Sequence, residues 1–179
     1  RYNGHQAGVI RVAFSPDEKV LASAGVERAI RLWDRETGTL LGTLEGHRNS
    51  VWDIAFTPDG KQLVSASFDA TLGVWDLATR QRLQTIRGHD NKIRAMALSR
   101  DGKKIASVSE DRTARIWSLD TAKIVRILHA KSGVMGVAFS PDGETVVTSG
   151  NQPSLSYWDL STGEKTRTLN PAPFIFSLA

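Results

Sequence analysis

A histidine, a serine and an aspartate recur together along this chain, and in combination they are the residue types of nucleophilic catalysis, in which a base-activated hydroxyl attacks a carbonyl. The fullest sets are His47, Ser65 and Asp69, then His89, Ser107 and Asp111, with His5 and Ser23 in an earlier copy. A catalytic triad needs one exposed serine and one oxyanion hole per active site. Here the set returns with the sequence period, beside apolar stretches, so the expected reading is a structural device and no catalytic residue is assigned. Metal chemistry fares little better, because the four histidines lie about forty residues apart and lack close ligand spacing. The absence of cysteine removes disulfides, thiolate ligands and a cysteine nucleophile together. Gly60, Gly102 and Gly143 sit in turn contexts and spell no phosphate loop. No enzyme activity, metal or cofactor is expected.

The elements that must position these residues follow from the repeat. Trp33, Trp75, Trp117 and Trp158 mark a period of about 42 residues, with Trp52 outside the series. Each closes a short apolar segment, and aspartate follows at Asp34, Asp76 and Asp159, with Ser118 in the third copy. Earlier in each copy a turn signal (SPDEK, TPDGK, SRDGK, SPDGE) separates two runs of small and β-branched residues. A further apolar segment follows each periodic tryptophan after a polar turn, so each period holds four short strands and leaves no room for a helix. The chain is read as all-β. The first strand of a copy is apolar on both faces, with Val51 and Ala55 on one and Ile54 and Phe56 on the other, so it must be covered from both sides. Copies stacked face to face satisfy that requirement.

On these residues the chain resembles the WD-repeat β-propeller family, whose signature is a Gly-His pair, a serine or threonine, a turn aspartate and a closing Trp-Asp at a period of about 40 to 45 residues. Gly46-His47, Ser65, Asp69 and Trp75-Asp76 match every term, and the resemblance extends along essentially the whole chain. It implies four-stranded blades over residues 4–45, 46–87, 88–128 and 129–170, with the start of a fifth at 174–179. It also implies a hydrogen-bonded network within each blade, formed by His47, Ser65, Asp69 and Trp75 in the second copy and His89, Ser107, Asp111 and Trp117 in the third. The first copy offers His5, Ser23 and Trp33, with Glu27 in place of aspartate, where the extra methylene is expected to disturb the turn. The fourth has Ala130 for the histidine and Gln152 for the aspartate, keeping Thr148 and Trp158; His129 is one position out of register. The second and third blades are therefore expected to be the most tightly held.

The same resemblance places partner contacts on the top face, at positions flanking the start of the first strand and preceding the turn acid. These map to Gly8, Ile10 and Val26; Ser50, Trp52 and Phe68; Lys92, Arg94 and Glu110; and Gly133, Met135 and Asn151. Trp52 stands out because its counterparts are Ile10, Arg94 and Met135, so the scaffold does not require tryptophan there. An aromatic pair of Trp52 and Phe68 with Lys92 and Arg94 has the composition of a protein-binding hot spot. The competing reading is that Trp52 only packs on a neighbouring blade. Base stacking on Trp52 with phosphate contacts from Lys92 and Arg94 is the nucleic-acid alternative, and Glu110 breaks the basic track that it needs.

The totals agree with a globular chain: 179 residues, 40% hydrophobic, 23% charged, net charge +4 with no basic run. No apolar run approaches a membrane span and no signal peptide opens the chain, so a cytoplasmic location is expected. A start at Arg1 and four copies, against the about seven blades that the resemblance implies, point to a piece of a larger ring. The partners expected are a protein or peptide and the rest of the same chain, meaning missing blades and a catalytic domain such as propeller arrays of multidomain signalling proteins carry. The function expected is a non-catalytic interaction scaffold or regulatory and sensing module, with nucleic-acid or ribonucleoprotein binding as the alternative.

Overall fold

Turn chemistry and strand composition set the local structure. In a computed structural model that describes residues 4–130, 132–150 and 154–170, there are sixteen strands and, among the described residues, no helix. They form four antiparallel sheets, each of four strands in chain order. The first holds β1 (Val9–Phe14), β2 (Val20–Gly25), β3 (Ile30–Asp34) and β4 (Leu40–Leu44). The second holds β5 (Val51–Phe56), β6 (Gln62–Ser67), β7 (Leu72–Asp76) and β8 (Arg82–Ile86). The third holds β9 (Ile93–Leu98), β10 (Lys104–Ser109), β11 (Thr113–Ser118) and β12 (Ile124–His129). The fourth holds β13 (Val134–Phe139), β14 (Thr145–Gly150), β15 (Leu155–Asp159) and β16 (Lys165–Leu169). The fifth start expected at 174–179 lies outside the described residues.

The β5–β6 reversal shows why the turn signal works. Asp59 Oδ1 accepts from Thr57 Oγ1 at 2.6 Å and from the Lys61 amide at 3.0 Å, while the Gly60 amide donates to the Thr57 carbonyl at 2.9 Å. Gly60 takes φ 68°, in the left-handed region that glycine enters freely. The first sheet places Glu18 there at φ 57°.

The chain divides into two compact units, Arg1–Gly88 and His89–Ala179. Within the first, β5 packs on β1 and β2, burying Ala22, Ala24, Ile30, Leu32 and Leu44 against Val51, Ile54, Phe56, Leu63 and Trp75. An ion pair from Arg11 Nε to Asp53 Oδ1 (2.8 Å) and a hydrogen bond from Ser50 Oγ to the Val26 carbonyl (3.2 Å) tie the same two sheets. On β1, by contrast, Val9, Val12 and Phe14 are exposed, although their counterparts Val51, Ile54 and Phe56 are buried. Within the second unit, β13 packs on β9 and β10, and Val108, Ile116, Leu128, Val134, Val137, Val146 and Trp158 share a cluster.

One expectation fails at the start of β5. Val51 pairs with Ser67 and Asp53 with Ala66, so Trp52 is the extra residue of a β-bulge. The slip brings Val51 into the cluster of Ile54 and Phe56 instead of the face assigned to Ala55. The same irregularity leaves out Ile10 between Val9 and Arg11, Arg94 between Ile93 and Ala95, and Met135 between Val134 and Gly136.

Candidate functional site

Two geometries compete for attention: the polar network inside each sheet and the bulged residues at the strand starts. In the second sheet the Gly46-His47 turn brings an imidazole over β6 and β7. His47 Nδ1 lies 2.9 Å from Asp69 Oδ2, His47 Nε2 lies 2.7 Å from Ser65 Oγ, and Trp75 Nε1 donates to the same Ser65 Oγ at 2.8 Å. Asp69 also accepts from the Arg48 amide at 2.8 Å, the Thr71 amide at 3.0 Å and Thr71 Oγ1 at 2.6 Å. The third sheet repeats this with His89–Asp111 at 2.7 Å, His89–Ser107 at 2.8 Å and Trp117–Ser107 at 2.8 Å. An Asp–His–Ser relay is therefore present, yet Ser65 and Ser107 are fully buried and each already accepts an indole N–H. A hydroxyl so enclosed cannot reach a substrate carbonyl.

The electrostatics fit a structural relay. Burial pushes the imidazoles of His47 and His89 below their ordinary value, against the opposing pull of Asp69 and Asp111, so both rings are neutral at neutral pH. Burial alone would raise the aspartates. Hydrogen bonds from His47, Thr71 and the Arg48 amide outweigh it and hold Asp69 far below the carboxylate range, and those from Thr113 and His89 hold Asp111 at about 2.

The outer copies depart from this pattern. In the first, His5 Nε2 lies 2.6 Å from Ser23 Oγ, which also accepts from Trp33 Nε1 at 2.7 Å. Glu27 reaches back to the Gln6 and Ala7 amides and to Arg31 (2.8 Å), but His5 Nδ1, 3.3 Å away, makes no hydrogen bond to it. The longer acid also changes the β2–β3 turn: Ala70 and Arg112 adopt positive φ and donate to Ser67 and Ser109, whereas Arg28 does neither. In the fourth copy Trp158 Nε1 donates to Thr148 Oγ1 at 2.9 Å, Ala130 supplies no ring, and His129 is exposed at the end of β12, paired with Thr113. Gln152 lies outside the described residues. Amide hydrogen exchange is expected to be slowest in β6–β7 and β10–β11 and at least tenfold faster in the matching pairs of the first and fourth sheets. Equal protection in all four would show that the network does not set local stability.

Sequence reasoning missed two members. Thr71 and Thr113, each two residues after the turn aspartate, bond it through the hydroxyl at 2.6 and 2.7 Å; their recurrence at that offset was the available signal. A cation also lies beside each indole or acid. Arg31 and Arg115 occupy matching strand positions, while in the second copy Gly73 stands there and Arg82 from β8 lies 4.3 Å above the Trp75 ring. A Cβ on Gly73 would come within 2.9 Å of the Arg82 guanidinium, so the small residue makes room for it. Because the cation comes from different strands, no fixed spacing could announce it.

Of the expected contact residues, Trp52 and Phe68 come together in the first unit as a parallel stack, centroids 4.2 Å apart and planes 14° apart, both half-buried. The Phe68 amide donates to the Ser50 carbonyl (3.0 Å), and the Val26 amide donates to the Gly8 carbonyl (2.9 Å). With the Ser50–Val26 bond these run Gly8, Val26, Ser50 and Phe68 into one loop surface, where Ile10 and Val26 are exposed. In the second unit the Glu110 amide donates to the Lys92 carbonyl at 3.0 Å, and Arg94 is engaged by Glu110 through Nε at 2.9 Å. Arg94, Glu110 and Arg112 line a cleft of about 570 Å³ with Met135.

Comparison with known proteins places these features. Residues 8–179 match the family described as the IFT122 first beta-propeller. Over 44 residues the chain is 43% identical to eukaryotic translation initiation factor 3 subunit I of Phaeosphaeria nodorum (strain SN15), a stretch that is 25% of this chain and 13% of that protein.

Proposed function

The chain belongs to the WD-repeat β-propeller family, and on that premise we propose that it is a non-catalytic platform that docks a protein or peptide through the loop surface bearing the bulged residues. The observation that carries this reading is the bulge itself. A bulge turns its residue out of the strand's alternation, so Ile10, Trp52, Arg94 and Met135 are released from the packing that constrains their neighbours and are free to vary. The His–Ser–Asp sets serve the blade and Trp52 with Phe68 serves the partner. Burial of Ser65 and Ser107 supports the absence of catalysis by these sets.

The Arg94–Glu110 pair argues against the nucleic-acid alternative, because a guanidinium engaged by a carboxylate is a poor phosphate ligand. A regulatory role beside a catalytic domain in the same chain, and a cytoplasmic site of action, complete the proposal; no helix among the described residues is long and apolar enough to cross a membrane. Site-specific photocrosslinkers at Ile10 and Ser50 are expected to capture a protein adduct in cells. A crosslinker at Leu83 on β8, more exposed than either, serves as the comparison. Adducts at Leu83 in equal yield, or none at Ile10 and Ser50, would overturn the proposal.

A further inference from the structure

The fourth blade keeps the cation and the indole of the network while losing both the imidazole and the acid. Lys165 Nζ lies 5.9 Å above the Trp158 ring, in the strand position that Arg82 holds over Trp75. Ser156 is the small residue beneath it, as Gly73 is in the second blade. In the first three blades a carboxylate answers the cation at this place: Glu27 with Arg31 at 2.8 Å, Asp111 with Arg115 at 3.5 Å, and Asp69, whose charge acts on Arg82. In the fourth, a cavity of about 540 Å³ opens instead, lined by Ala130, Ser132, Thr148, Ser156, Trp158 and Lys165, with no acidic residue in its lining. The residues outside the described set contain no acid either.

Ser156 pairs with Thr148 across β14 and β15, so both hydroxyls stand on the face that carries Trp158, and both residues line the cavity. The volume falls within the roughly 300–1,000 Å³ of small-ligand sites.

We propose that the fourth blade binds a small carboxylate in this cavity, its charge met by Lys165 and its oxygens by the hydroxyls of Thr148 and Ser156. The ligand supplies from solution the acid that the other blades supply from their own turns. This pocket shares Ser132 and Val134 with the cleft at Met135, but Lys165, Thr148 and Ser156 lie outside that cleft, so the proposal does not depend on the docking surface above. The test titrates the 179-residue chain with succinate and with acetate at constant ionic strength, following amide and indole resonances. Saturable shifts are expected at the Trp158 indole N–H and at Thr148 and Ser156. Lys165→Met is expected to weaken succinate at least tenfold with all other resonances in place, and Ser156→Asp, which puts an acid into the cavity, to abolish binding. Lys165 is exposed, so its substitution leaves folding intact. Shifts that chloride reproduces, succinate affinity unchanged in Lys165→Met, or no saturable response to either acid would each overturn the proposal. So would equal or tighter binding of inorganic phosphate.

Discussion

Asp69→Ala is expected to lower the unfolding free energy by about 3 kcal/mol, far more than Asp76→Ala, the same change seven positions on. Asp76 is the aspartate of the Trp-Asp pair. It accepts from the Thr79 amide at 2.7 Å and Thr79 Oγ1 at 2.8 Å at an exposed turn, where water replaces it readily. Asp69 accepts four hydrogen bonds in a partly enclosed turn, and its loss leaves the His47 Nδ1–H only Thr71 Oγ1, 3.4 Å away, inside the blade. A charged acceptor of buried donors is worth more than a neutral one, and a donor left unpaired costs more than the bond it made. Denaturant titration of both variants decides the matter. Costs equal within about 0.5 kcal/mol would show that the network contributes no more than a surface turn.

The same titration repeated across pH carries a definite sign. His47 and His89 have folded values below 6.5, so the unfolded chain takes up protons first and their stabilisation, complete above that value, declines as the pH falls below it. Glu27 and Asp111 have folded values of about 2. Their contribution is present above the unfolded carboxylate value of about 4 and disappears as the pH falls from there towards 2. Stability is therefore expected to sag gently below pH 6.5 and then steeply below about 4. Asp111→Asn is expected to flatten the steep limb.

Trp52→Ala is expected to weaken partner binding about thirtyfold, which corresponds to roughly 2 kcal/mol, while costing the fold only about 1 kcal/mol. The stack of Trp52 on Phe68 presents a flat, half-buried aromatic surface that needs little ordering on binding. Phe68→Ala removes the support and is expected to lose most of the same affinity. Unchanged affinity with lowered stability in Trp52→Ala would mean that the tryptophan only packs, and the docking surface would then have to be sought elsewhere.

The repeat makes most of the architecture legible in the sequence. Periodic tryptophans, Asp-Gly turns and β-branched runs are local signals, and each acts within a few residues of where it is written: Gly60 turns its own hairpin, and Trp75 sits opposite Leu63 on the neighbouring strand. Departures from the period were equally visible, since Glu27 and Ala130 stand out against aligned copies. Other features depend on what lies across a strand. Whether Glu27 could meet His5 was a question of one methylene. The cation over Trp75 comes from β8, while its equivalents in the first and third blades come from the strand of the tryptophan itself.

The all-β class and the four-stranded repeat were thus written in the chain alone, because a repeat compares each position with its own copies. Tertiary structure decided what those positions do. Hydrogen-bond register between β5 and β6 made Trp52 a bulge, and a register is a relation between two strands that neither strand encodes by itself. Burial of Ser65 beneath His47 and Trp75 encloses the hydroxyl of a set whose recurrence had already marked it as structural, and the missing ring at Ala130 became a cavity only when β14, β15 and β16 closed around it.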